Sequence, residues 1–246
     1  MDYLLLLSSI VLGAITVFGF RLYEARHIRL LNAFTGAFLL SLTFLHLLPE
    51  LYHDHPAHEG AVAHSVLLIG FLMLLGFFVQ VALDVISMGV EHGHSHVVTQ
   101  RMPIGIVMGL CLHALVEALA LGKGHAGVVQ GLDPHTRRLL LTSIIVHNYP
   151  VSIALLGMLL QSGMPRGRAL GILVLFAAMA PLGMFVGSHT ALAAYGKEMM
   201  ALVIGIFMHI STTILFESSD LHRFNLAKLG AMVLGTAAGI ACVFVH

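Results

Sequence analysis

Apolar runs long enough to cross a bilayer recur eight times along this chain, and the segments between them are short. They fall roughly at 3–22, 31–52, 64–89, 103–123, 139–160, 169–188, 199–217 and 226–245. A helix needs about 20 apolar residues to span about 30 Å of hydrocarbon. Inside that layer every backbone N–H and C=O must be satisfied within the protein, which leaves helices or a closed barrel. The alternation expected of barrel strands is absent. The chain therefore reads as an all-α integral membrane protein, an eight-helix bundle forming one domain over 1–246.

Composition agrees. Only 10% of the residues are charged and the mean hydropathy is +0.95, whereas a soluble domain carries about 25% charged residues. Lys plus Arg and Asp plus Glu stand at 12 each, so there is no basic face for nucleic acid. Cys111 and Cys242 both sit in apolar runs, which argues against a disulfide framework. The opening "MDYLLLLSSIVLGAITVFGF" lacks a basic leader and reads as a retained first span rather than a signal peptide.

Lys and Arg set an orientation. Arg21, Arg26, Arg29, Arg101, Arg166, Arg168, Arg223 and Lys228 fall on one side of an eight-span chain; Lys123, Arg137, Arg138 and Lys197 fall on the other. The richer side is expected to be cytoplasmic, with both termini outside. Arg137 and Arg138 run against that rule.

The chemistry concentrates in the fourth and fifth spans. In "LCLHALVEALALG" (110–122), His113 and Glu117 stand at i and i+4, on one helix face. An ionised group near the centre of a membrane helix costs about 2.5–3.5 kcal/mol, so such residues mark function by default. The fifth span, "TSIIVHNYPVSIALLG", is interrupted by His147, Asn148 and Pro150. Proline has no N–H to donate, so the Val146 carbonyl is freed beside His147. Two imidazoles and one carboxylate suit a borderline divalent metal. Asn148 is a candidate supporting polar group. The bland alternative is a hydrogen bond that merely fastens helices.

Other polar residues mark the ends of a path. His46 and Glu50, again at i and i+4 around Pro49, are expected near the outer mouth; Asp84, His209 and Glu217 are expected toward the inner face. A cytoplasmic loop over 90–102, with "EHGHSH", offers His92, His94 and His96 for weak, fast-exchanging metal binding. The segment "YHDHPAHEG" would gather cations outside.

With these residues in view, the chain resembles the ZIP family of divalent-metal transporters over nearly its whole length. "GAFLLSLTFLHLLPEL" is similar to the family's second-span signature, "LHALVEALALG" to its fourth-span metal motif, and "AAMAPLGMF" to its sixth-span Pro-Leu-Gly motif. The histidine loop between the third and fourth spans is also family-like. The resemblance implies eight spans, both termini outside, homodimers, and transport of zinc, iron, manganese or cadmium into the cytoplasm. It implies a four-helix unit moving against a scaffold in an elevator-like step. By position His113 and Glu117 would be the fourth-span ligands, and His147 the first of the fifth span. It implies a transporter and no enzyme: the metal is cargo, zinc first, and no catalytic cofactor is expected.

The chain departs from relatives with a two-metal centre. Ala114 stands where they carry Asn, Val151 where they carry Glu, and Ala180 where they carry Glu before Pro-Leu-Gly. One principal transport metal is expected, as in the branch that includes short animal plasma-membrane importers. The short chain favours a bacterial inner membrane.

The competing readings are a membrane haem or redox protein and a metal sensor that does not transport. A haem needs facing axial histidines, for which His and Glu on one helix are a poor start. An HExxH protease motif and a P-loop are both missing from the sequence.

Overall fold

A computed structural model describes residues 1–20, 25–53, 59–87, 104–122, 132–217 and 226–245. Each apolar run becomes a helix: α1 (Asp2–Phe20), α2 (Ala25–Leu42) continued by α3 (Leu48–His53), α4 (Glu59–Ser87), α5 (Ile104–Leu119), α6 (Pro134–Gln161), α7 (Arg166–His189), α8 (Gly196–Glu217) and α9 (Leu226–Val245). Six of the resulting spans are long and apolar enough to cross a membrane; α5 and α9 hold shorter apolar stretches. The described residues contain no strand. The result is an all-α bundle of apolar helices, a multi-pass membrane protein.

The burial pattern is that of a membrane solvent. Leu67, Phe71 and Val85 on α4, Val174 on α7 and Leu234 on α9 face outward, while Ser9, Asn32, Thr35, Gln80 and Ser143 are buried. Lipid accepts the apolar exterior, and the interior collects the polar groups that lipid would leave unpaired.

Several boundaries differ from the sequence expectation: the second and third spans start earlier, at Ala25 and Glu59, and two further shifts have visible causes. The fifth span starts earlier, at Pro134, because Asp133 caps it: its Oδ2 accepts from the backbone N–H of His135 at 2.9 Å and of Thr136 at 3.2 Å, with proline in the first turn. The fourth span stops at Leu119 rather than near 123, where tightened bonds from Leu121 N–H to Ala118 and Gly122 N–H to Leu119 end it. The second span also contains a π-helical turn over Thr43–Leu47, closed by Leu48 N–H on the Thr43 carbonyl. A π turn is a local feature that recurs at functional sites, and this one carries His46. By contrast α6 runs on through Pro150.

The closest packing divides the helices into two groups, which meet where α4 lies along α5 and α2 along α6. In one, α5 lies along α7 and α1 along α6; in the other, α2 lies along α9 and α8, and α4 along α8. The buried members of the cluster around Phe176, Ile10, Leu110 and Leu155 come from α1, α5, α6 and α7, with Ile28 and Leu31 of α2 packed against them. A second cluster, including Leu6, Leu47, Leu140, Met184 and Phe207, joins the two groups. Within each group the closest seams need glycine. A Cβ at Gly183 of α7 would fall on the Leu115 carbonyl of α5, and one at Gly205 of α8 on the Met73 carbonyl of α4.

Arg137 ties the first group together at one face. Its guanidinium donates to Asp2 Oδ2 at 2.8 Å and to the Leu121 carbonyl at 3.0 Å, and reaches Met184 Sδ at 3.5 Å. It thus touches α1, the chain just past α5, and α7, and satisfies a carbonyl that the helix end leaves open. Its partly buried ion pair shows that the charge serves the bundle rather than a loop. The same contacts bring the start of α1, the end of α5 and the start of α6 to one face.

Candidate metal centre

The i,i+4 spacing on α5 puts His113 and Glu117 on one face, and that face is turned inward. His113 Nε2 lies 3.3 Å from Glu117 Oε1, with both side chains at 0% exposure. From α6, His147 is brought edge-on to His113, with ring centroids 5.5 Å apart and planes at 88°. The two Nε2 atoms are 3.4 Å apart. Among the described residues this is the one group of three His, Cys, Asp or Glu side chains close enough to hold a metal, all ligand atoms lying within 4.8 Å.

The spacing suits a small tetrahedral ion. Bonds of about 2.0–2.1 Å at tetrahedral angles separate ligand atoms by about 3.3–3.4 Å. The third corner, between Glu117 and His147, would close on binding. Both amide atoms of the adjacent Asn148, fully buried, have no hydrogen-bond partner. Buried polar atoms of this kind are uncommon unless water or an ion meets them.

A residue that sequence reading missed completes the surroundings. Gln80, at 0% exposure on α4, places Oε1 2.9 Å from His113 Nδ1. An amide oxygen accepts, so Gln80 favours a proton on His113 Nδ1 and leaves Nε2 as the nitrogen that faces Glu117 and His147. The signal in "FFVQVALDV" was a lone amide in an apolar run, four residues before Asp84.

The departures expected to remove a second site are apolar and packed: Ala114, Val151 and Ala180 are all buried in hydrophobic clusters. They supply contacts, not ligands.

The remaining candidates divide into two places. At the face carrying the N-terminus, His46 Nε2 is 3.3 Å from Thr136 Oγ1, and its ring meets His135 edge-on at 4.7 Å. Glu50 and Asp133 are close enough to act electrostatically on it. Sequence reading named His46 and Glu50 but not His135 or Asp133, which the α6 cap brings in. Toward the other end, His209 Nε2 and Asp84 Oδ2 come within 3.8 Å, with Phe77 edge-on to His209 at 5.0 Å. Glu217 ends α8, and its side chain lies outside the described residues, as do His92, His94, His96 and the whole 90–102 loop.

A sequence model described as "ZIP Zinc transporter" matches residues 87–245. The chain is similar to Zinc transporter ZIP9-B of Xenopus laevis, 25% identical over 190 residues, covering 71% of this chain and 61% of that protein. It is similar in the same measure to Zinc transporter ZIP9 of Xenopus tropicalis. To Zinc transporter ZIP9 of Micropogonias undulatus it is 26% identical over 172 residues, covering 65% of this chain and 53% of that protein. The chain thus spans about three fifths or less of the length of these relatives.

Proposed function

The chain belongs to the ZIP zinc transporter family, and from that premise we propose that it carries divalent transition-metal cations, zinc first, across a cell membrane into the cytoplasm. The observation that carries this reading is the buried triad of His113 and Glu117 on α5 with His147 on α6. Two neutral imidazoles and one carboxylate are a zinc-type ligand set. A single carboxylate leaves the site with few anionic ligands, which favours release as well as capture. Iron, manganese and cadmium have the same access to this donor set.

The ion moves by alternating access. His113, Glu117 and His147 belong to the group of α1, α5, α6 and α7, which has an apolar cluster of its own and glycine seams within it. That group shifts as a body against α2, α4, α8 and α9. His46 and Glu50 gather the cation at the outer mouth, where both termini also lie; Asp84, His209 and Glu217 attend its exit. Asn148 meets the partly hydrated ion beside the triad. Two chains form a homodimer in the bilayer. The short loops between the spans favour a bacterial inner membrane, although the relatives named above are animal proteins.

A haem reading is poorly served by this geometry. An axial pair must straddle a porphyrin plane, and two Nε2 atoms 3.4 Å apart with Glu117 alongside leave no room for one. The experiment that separates carriage from sensing is flux. Purified protein in proteoliposomes loaded with a zinc-sensing dye should give saturable uptake above empty liposomes. Zinc binding with no flux would make the protein a sensor.

A further inference from the structure

We infer that Gln80 is a positioning residue for the metal centre, one that selects which nitrogen of His113 faces the ion and that does so from the opposite helix group. The inference rests on the reading of His113, Glu117 and His147 as a metal site, and deepens it.

Three observations carry it. Gln80 is fully buried, in a span whose neighbours are apolar, where an unpaired amide would be costly. Its Oε1 lies 2.9 Å from His113 Nδ1, on the side of the ring away from Glu117 and His147. An acceptor there stabilises the Nδ1–H tautomer, which exposes the Nε2 lone pair toward the other two ligands and raises its basicity. A donor in its place would do the opposite, and an apolar residue would leave the tautomer unchosen.

The second consequence comes from the fold. His113 is on α5, packed with α7, while Gln80 is on α4, packed with α8. The bond therefore crosses between the two helix groups. A shift of one group by a helical turn, about 5.4 Å, breaks it. In the arrangement described here the site is held in its ligating form, and the same displacement that moves the ion withdraws that support. Affinity is thereby coupled to position.

The test uses the full chain in nanodiscs with zinc as the probe. Gln80→Leu keeps the volume and removes the acceptor; Gln80→Glu keeps the acceptor. Zinc affinity is read by competition with a chelating dye, with His113→Ala as the baseline for the many other histidines. The tautomer is read from 15N-histidine NMR, the His113 signals being those that vanish in His113→Ala. Gln80→Leu should weaken zinc binding about 10- to 100-fold and erase the Nδ1–H signature of His113, while Gln80→Glu should restore both. In uptake, Gln80→Leu should raise KM with the maximal rate retained. A residue that merely fills space would tolerate Leu better than Glu, so wild-type affinity and tautomer in Gln80→Leu would overturn the inference. A Glu variant no better than Leu would overturn it equally. Loss of zinc in His113→Ala with no effect of Gln80→Leu would leave the metal centre standing and remove only Gln80. Absence of His113-dependent zinc binding in the wild type would take down both.

Discussion

Arg137 and Asp2 stand 135 positions apart in the chain, yet their side chains pair at 2.8 Å. The pair is partly buried, with side-chain exposures of 13% and 21%. The same guanidinium also holds the Leu121 carbonyl. Removing it should cost about 1–3 kcal/mol, the range for leaving charged or buried partners unmatched. Arg137→Ala is therefore expected to lower the melting temperature of the detergent-solubilised protein by several degrees. Arg138→Ala is the control: it is exposed, its Nε donates only within its own helix, to the Pro134 carbonyl, and its loss should be nearly silent. Equal melting curves for both variants would show that the clasp carries no weight.

The glycine seams make a second prediction. Gly183→Ala drives a methyl into the Leu115 carbonyl, and Gly205→Ala drives one into that of Met73. Both should destabilise or lower the folded yield, because backbone cannot swing aside as a side chain can. Gly171→Ala, on the same helix as Gly183, meets nothing within 4 Å. It should be neutral or stabilising by up to about 1 kcal/mol from helix propensity. Size-exclusion profiles and thermal scans decide; a destabilised Gly171→Ala with an unaffected Gly183→Ala would reverse the account.

These cases show what a sequence holds and what it withholds. His113 and Glu117 were legible because both lie on one helix, where spacing alone fixes a shared face. His147 was legible through the polar and proline interruption of its span. That α5 and α6 bring them together follows from long-range packing, which periodicity does not encode. Gln80 was invisible for the same reason: a lone amide in an apolar run has no spacing to betray it. The Asp133 cap was readable in "DPHT" but was passed over for the apolar run that follows. Arg137 looked like a loop charge because the fold that buries it could not be seen.

At the face carrying the N-terminus, His46 lies beside His135 and Thr136 rather than in the triad. His46→Ala should therefore raise the KM for zinc severalfold and leave the maximal rate almost unchanged, as expected when capture rather than the translocating site is damaged. Initial-rate uptake over a zinc titration measures both. A collapse of the maximal rate would put His46 inside the transport step.

Acid should oppose the metal. All three ligands must present an unprotonated atom to the ion. Protonation then competes directly, so the apparent Kd should rise as pH falls and zinc binding should release protons into a weakly buffered medium. Uptake that climbs steadily as external pH drops from neutral would contradict this.

The central claim is that His113 and Glu117 share a transported ion with His147. The direct measurement is zinc uptake into proteoliposomes by the wild type, His113→Ala and Glu117→Ala, each shown to be folded by its elution profile and thermal transition. The account predicts saturable uptake in the wild type and its loss in both folded variants. Undiminished uptake in both would contradict it, and would return the pair to a structural role, a buried polar contact within α5.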